Sequence, residues 1–276
     1  MKQHCYDSLR KNMVKKTKRI VVKIGSSVLV DEDGQLSHKA LLGLARDIAK
    51  IQKKGIHVTL VSSGAVASGM QYLGFQKKPA KMSELQACAA IGQPILMHMY
   101  QRALSPAKLQ VAQILLTRDD VANKKRFLNA RHTLNELLLK NIIPIVNEND
   151  TVVVDEIRVG DNDNLSALVS IMIRADLLIL LTDQRGFYTE DPRKNEKAKK
   201  IAVIHKIDRK TFAKASGTDS AGSVGGMKTK LQAAQKAGQK GIATIIAHGR
   251  DRHVLEKIFS GREVGSIFLT KAQGNT

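Results

Sequence analysis

The sequence predicts an α/β fold with a mostly parallel central sheet sandwiched between helices. Two patterns carry that expectation: short runs rich in Val and Ile, the form of strands buried on both faces, and helix-period segments between them. A third observation is size, since 276 residues with 43% hydrophobic content can bury a large core.

In chain order, residues 1–18 read as a basic, mobile arm (Lys2, Arg10, Lys11, Lys15, Lys16 and Lys18 against Asp7). Strands are expected at 19–24 (RIVVKI), 56–61 (IHVTLV), 109–116 (LQVAQILL), 142–146 (IIPIV), 176–182 (DLLILLT) and 242–247 (IATIIA). Residues 39–53 carry Leu41, Leu42, Leu44, Ala45, Ile48 and Ile51 at helical spacing, and similar patterns occupy 83–104, 126–140, 163–174 and 227–239. The stretch TVVVDEIRVG (151–160) suits a hairpin projecting from the sheet, and 184–226 should be mostly loop with a short helix. No repeat or linker interrupts the pattern, so residues 19–270 are expected to be one domain with N-terminal and C-terminal lobes.

Composition narrows the function. Two cysteines, Cys5 and Cys88, and singly scattered histidines argue against a disulfide framework or a transition-metal centre. The formal charge of +20 attracts anions such as carboxylates, nucleotide phosphates or nucleic acid. With 4% aromatic residues and no Trp, however, stacking platforms for nucleic acid are poorly supplied. No apolar run approaches the roughly 18 to 20 residues that span a bilayer, and a soluble cytoplasmic protein is expected.

Ligands in open α/β sheets collect where strands end, so the loops after the strands matter most. The first gives Lys23 and Gly25-Ser-Ser; here the lysine precedes the glycine, inside the strand, whereas a Walker A loop places it after. The second gives Ser62-Ser63-Gly64 turning into a helix, whose free N–H groups could hold an anion. NENDTV (147–152), GDNDNLSA (160–167), TDQRGFYTEDP (182–192) and SVGGMKTK (223–230) complete the set. Each alone is more often a cap, a turn or a solvated lysine. Together at one end of a sheet they suit phosphoryl transfer: glycine amides and lysines to neutralise phosphate, carboxylates to hold lysines and Mg²⁺.

The motifs VVKIGSSVL, VSSGAVASG, LLTRDD, RFLNARHTL, NIIPIVNENDTV, IRVGDNDNLSALVS, LLILLTDQRGFYTEDPR and VGGMKTKLQAA resemble, in order and spacing, the glutamate 5-kinases of the amino acid kinase superfamily. The resemblance covers about residues 19–269 and implies the carbamate kinase-like fold of that superfamily. It further implies Mg²⁺-dependent transfer of the ATP γ-phosphoryl group to the side-chain carboxylate of L-glutamate. By the same resemblance Lys23 and Lys230 flank the transferring group, Asp163 holds both lysines, and Gly25 and Gly64 offer backbone N–H groups. Ser63, Asn147, Asp150 and Asn162 bind glutamate, Asp150 through the α-amino group. Lys23, Thr182, Asp183, Val224, Gly225, Gly226, Met227, Lys228, Thr229 and Lys230 receive ATP, while Mg²⁺ travels with the phosphates and no protein ligand is assigned to it. Most members carry Thr where Val224 stands, and many carry a C-terminal PUA domain that is not expected here. Proline as feedback inhibitor, a homo-oligomer and coupling to glutamyl phosphate reductase are also implied. A related kinase of aspartate or N-acetylglutamate, or a non-catalytic regulatory or RNA-binding protein of the same fold, are the alternatives; a free α-amino group, needing an acidic partner such as Asp150, separates the first.

Overall fold

Strands and helices alternate along the chain as the hydrophobic pattern requires. The computed structural model describes residues 2–31, 36–152, 162–215 and 226–270. Its elements are α1 (Lys2–Lys16), β1 (Arg19–Ile24), α2 (Ser26–Leu29), α3 (His38–Gln52), β2 (His57–Ser62), α4 (Ala65–Tyr72), α5 (Met82–Leu104), β3 (Val111–Leu116), α6 (Arg118–Ala122), α7 (Lys124–Leu139) and β4 (Ile143–Glu148). There follow α8 (Asn162–Met172), β5 (Leu177–Thr182), β6 (Val203–Ile204), α9 (Arg209–Lys214), α10 (Met227–Gly238), β7 (Ala243–His248), α11 (Val254–Phe259) and β8 (Ser266–Phe268).

The described strands form one sheet in the order β3-β4-β2-β1-β5-β7-β8-β6, parallel throughout except between β7 and β8. Alternation along each strand divides the core in two. Ile20, Val22, Ile24, Leu60, Ile179 and Leu181 face a layer built from α3, α5 and α11. Val21, Val61, Leu178 and Leu180 face the other, built from α7, α8 and α10. Both faces are thus covered, which is why the strands read as unbroken apolar runs.

Helices α4 and α5 meet more closely than side chains would allow. A Cβ on Gly92 would lie 1.8 Å from the Ala65 carbonyl oxygen, and one on Gly69 would lie 1.8 Å from that of Cys88. Within the same layer, the buried Asp47 of α3 accepts hydrogen bonds from the Leu255 and Glu256 amides at 3.0 and 3.4 Å, capping α11 from outside its own segment.

The N-terminal segment corrects the expectation of a mobile arm. Residues 2–16 are helical, and Tyr6, Leu9, Met13 and Val14 pack against the core as a stripe at helical spacing that the flanking lysines obscure. Arg10, only 2% exposed, donates to the carbonyls of Val264 (3.0 Å), Ala202 (3.1 Å) and Gly265 (3.4 Å). Strands β6 and β8, two and three residues long, were not expected, because so short a run leaves no period. The expected hairpin lies almost wholly outside the described residues. No described helix is long and apolar enough to cross a membrane.

Candidate active site

The parity of β1 answers why a lysine stands inside a central strand. Lys23 shares the face of Val21, so it points into the layer of α8 and α10 instead of out to water. There Asp163, in the first turn of α8, receives Lys23 Nζ on Oδ1 at 2.8 Å and Lys230 Nζ on Oδ2 at 3.1 Å. Thr229 Oγ1 donates to the same Oδ2 at 2.7 Å. All three charged groups are nearly sealed, Lys23 5%, Lys230 6% and Asp163 1% exposed. Burial works to raise the Asp163 carboxyl, but Lys23 and Lys230 outweigh it and hold the group well below the ordinary carboxylate range. Lys230 is pulled down from its ordinary value by burial and by Lys23, against the attraction of Asp163 and Asp183. Two ammonium groups and one carboxylate leave the cluster with a net positive charge in a poorly solvated place, where an anion is strongly attracted.

Beside this triad lies a second polar group. Asn162, the first residue of α8, donates from Nδ2 to the Ser62 carbonyl (2.9 Å), Ser63 Oγ (3.2 Å) and Asn147 Oδ1 (2.9 Å). Asn147 lies next to the end of the fully buried β4, and its Nδ2 donates to Gln93 Oε1 on α5 at 2.9 Å. Ser62 Oγ and the buried Tyr100 hydroxyl lie 2.8 Å apart and brace the end of β2. Two acceptors of this group remain without a partner among the described residues, Asp150 Oδ1 and Asn162 Oδ1. Asp150 is 8% exposed. Burial, reinforced by Glu148 and partly opposed by Lys78, pushes its carboxyl up to about 7. A cleft of about 240 Å³ opens here between Ala65, Ala89, Gln93, Leu115, Glu148 and Asp150.

The remaining residues singled out from sequence divide. Gly25 does not offer its amide, which donates to Leu181 O at 3.1 Å. Its lack of a side chain matters instead, because a Cβ would crowd that oxygen at 3.2 Å and stand 3.8 Å from Lys23 Nζ. Gly64 takes the left-handed conformation, φ 107, at the start of α4. The first α4 bond to its carbonyl comes from Ser68, at 2.9 Å, so the amides of Ala65, Val66 and Ala67 have no intrahelical acceptor. Thr182 is buried where β5 ends, and its hydroxyl donates to Asp183 at 2.8 Å. Gly226 caps α10, and its carbonyl lies 2.9 Å from Thr229 Oγ1 as an alternative acceptor to Asp163 for the one hydroxyl hydrogen. The Met227 side chain turns into the core, and Lys228 is exposed. Val224 and Gly225 lie outside the described residues.

A lysine-bracketed carboxylate at the strand ends of a parallel sheet suits phosphoryl transfer, and comparison with known proteins gives the family. A family model described as the amino acid kinase family matches residues 18–248. This chain belongs to the amino acid kinase family. Among curated relatives, a glutamate 5-kinase of Geobacter metallireducens is 50% identical over 261 residues, covering 95% of this chain and 70% of the relative. One from Nitrosomonas eutropha is 47% identical with the same coverage. Carbamate kinase from Giardia lamblia bound to AMP-PNP superposes with a TM-score of 0.65 over 93% of this chain and 99% of that one, at 17% identity. UMP kinase from Ureaplasma parvum gives 0.65 over 92% and 100%, at 15% identity. The fold of the amino acid kinase family is therefore shared, with a mostly parallel sheet of eight strands between helix layers.

Sequence reasoning missed Gln93 and the Ser62–Tyr100 pair. The available signal was a lone glutamine in the apolar stretch AAIGQPILM, set between Gly92 and Pro94. A solvated residue there would have been compatible with the pattern, and only the crossing of α4 and α5 turns it inward.

Proposed function

We propose that this chain transfers the γ-phosphoryl group of ATP to the γ-carboxylate of L-glutamate, giving L-glutamyl 5-phosphate, the first step of proline biosynthesis. The observations that carry the reading are the buried Lys23–Asp163–Lys230 cluster at the start of α8 and two buried acceptors without a partner among the described residues, Asn162 Oδ1 beside Asp163 in sequence and Asp150 Oδ1 just after β4. An α-ammonium group has the donors and charge to satisfy both acceptors, which orients the acceptor molecule's carboxylate toward the lysines. That the relatives at 47% to 50% identity are glutamate 5-kinases supports the same substrate.

The chemistry needs no general base, because a γ-carboxylate is already ionised at pH 7. Catalysis reduces to alignment of the two substrates and stabilisation of charge spread over the transferring group. Lys23 and Lys230 supply that stabilisation from either side, and Asp163 keeps two mutually repelling ammonium groups in one place. The first-turn amides of α4 add donors without charge. Thr182, Asp183 and the start of α10 receive the nucleotide. Mg²⁺ carried by the ATP phosphates would supply further charge neutralisation, while the Asp163 carboxylate is engaged by Lys23, Lys230 and Thr229.

Hydroxylamine trapping of acyl phosphate, with ATP and Mg²⁺, tests the reading against L-glutamate, L-aspartate and N-acetyl-L-glutamate. Hydroxamate with L-glutamate alone supports it; a signal with another acceptor and none with glutamate sinks it. Proline, whose secondary ammonium can meet the same Asp150 and Asn162 acceptors, is expected to compete with glutamate. An unchanged rate at low glutamate and saturating proline removes that part.

A further inference from the structure

Four amide side chains in the acceptor pocket form a hydrogen-bonded relay in which every donor points the same way. Asn162 Nδ2 donates to Asn147 Oδ1, Asn147 Nδ2 to Gln93 Oε1, and Gln93 Nε2 to Gln113 Oε1, each at 2.9 Å. Two main-chain groups fix that polarity. The Glu148 amide donates to Asn147 Oδ1 at 2.9 Å, so a flipped Asn147 would set donor against donor. The Ser62 carbonyl accepts from Asn162 Nδ2 at 2.9 Å, so a flipped Asn162 would set acceptor against acceptor. With both asparagines locked, Gln93 must present its carbonyl to Asn147 and its amine to Gln113. The amide oxygen of Asn162 is then left over, buried and without a partner among the described residues.

Gln93 reaches this position because of its neighbour. Gly92 rests on the Ala65 carbonyl and Gly69 on that of Cys88, at distances only glycine permits, so the α4–α5 crossing sets how deep Gln93 sits. Gln113 lies on β3, and the relay therefore ties α5, β3, β4 and the start of α8 together.

We propose that Gln93, anchored by Gln113, is a positioning residue for recognition of the acceptor. It holds the Asn147 amide, and through it Asn162, so that Asn162 Oδ1 stays turned out as an acceptor for the substrate's α-ammonium group. Gln93 itself does not act on the reacting atoms: its carbonyl is taken by Asn147 and its amine by Gln113. The proposal rests on the glutamate reading above and adds residues to it that the motif resemblance does not assign.

The test compares L-glutamate with glutarate, the same diacid without the α-amino group, by kcat/KM in the trapping assay on the full chain. Gln93→Met keeps length and burial but removes both hydrogen bonds. It is expected to lower kcat/KM for glutamate about 10- to 100-fold, the usual cost of stranding buried polar partners, while glutarate turnover and the KM for ATP stay within about 3-fold. Gln113→Leu, at an exposed strand position that cannot upset the core, is expected to move the same ratio in the same direction by about 3- to 10-fold. A general structural defect would lower both substrates alike, so equal losses in both variants, or no loss for glutamate, overturn the relay. A wild-type protein inert to glutamate overturns the underlying reading instead, which separates the two failures.

Discussion

Replacing Asp150 by asparagine is expected to stabilise the folded protein at neutral pH while removing acceptor binding. The carboxyl holds its proton in the folded state up to about pH 7, against an ordinary value of 3.8. Between those values the folded state binds the extra proton, so wild-type stability falls as pH rises from about 4 through 7 and is level beyond. The full difference corresponds to about 4 kcal/mol at ~1.4 kcal/mol per pH unit. Relaxation around a carboxylate at the edge of a cleft reduces that to about 2 kcal/mol, or roughly 4 to 8 °C in melting temperature for a chain of this size. The asparagine side chain carries no such titration, so thermal melts of both proteins from about pH 4.5 to 8.5 should diverge progressively toward neutral pH, the variant melting higher. A difference that does not change with pH, or a more stable wild type at about pH 8, refutes the reasoning. The functional counterpart has the opposite sign: the α-ammonium group needs the ionised carboxylate, so wild-type KM for glutamate should rise as pH drops below about 7, and kcat/KM of Asp150→Asn should fall about 100-fold or more.

Asp163→Asn leaves two buried ammonium groups facing each other and should cost about 3 to 5 kcal/mol in denaturant unfolding, with turnover lost. In the wild type the Asp163 carboxyl sits below its ordinary range, so its contribution is present above the ordinary value and lost only as pH falls through the depressed one; near pH ~4 it should persist. Gly92→Ala drives a methyl group into the Ala65 carbonyl, and a lowered urea midpoint or loss of soluble protein is expected, whereas an unchanged midpoint contradicts the tight crossing. Arg10→Ala strips a buried guanidinium from the Val264, Ala202 and Gly265 carbonyls and should cost about 2 kcal/mol with kcat unchanged, checked by melts and turnover on the same sample.

The strands that build the site were legible because burial on both faces writes them as apolar runs, and each central run falls within two residues of its strand. The position of Lys23 was legible as an anomaly, a charge in an apolar strand, and the alternation of Val21 and Lys23 explains where it points. What could not be read depended on contacts between distant segments. The basic N-terminal residues conceal a stripe that becomes apolar burial only against the folded core. Gln93 is inconspicuous in sequence and acquires a role only through the glycine-mediated crossing. The amide of Gly25 looked available from the motif, yet the neighbouring strand β5 takes it. The raised carboxyl of Asp150 likewise depends on how the chain after β4 folds back beside Glu148.

The central claim is that two lysines, one borne by a strand and one by a helix, are held by one carboxylate and stabilise the phosphoryl group in flight. The measurement that tests it most directly is the steady-state rate of hydroxamate formation from L-glutamate by Lys23→Met, with KM determined for both substrates. The expected result is a drop in kcat of about 1000-fold while the KM for glutamate stays within about 3-fold, since the role proposed for Lys23 lies at the transferring group and not at the α-ammonium site. A folded variant that turns over glutamate at the wild-type rate contradicts it.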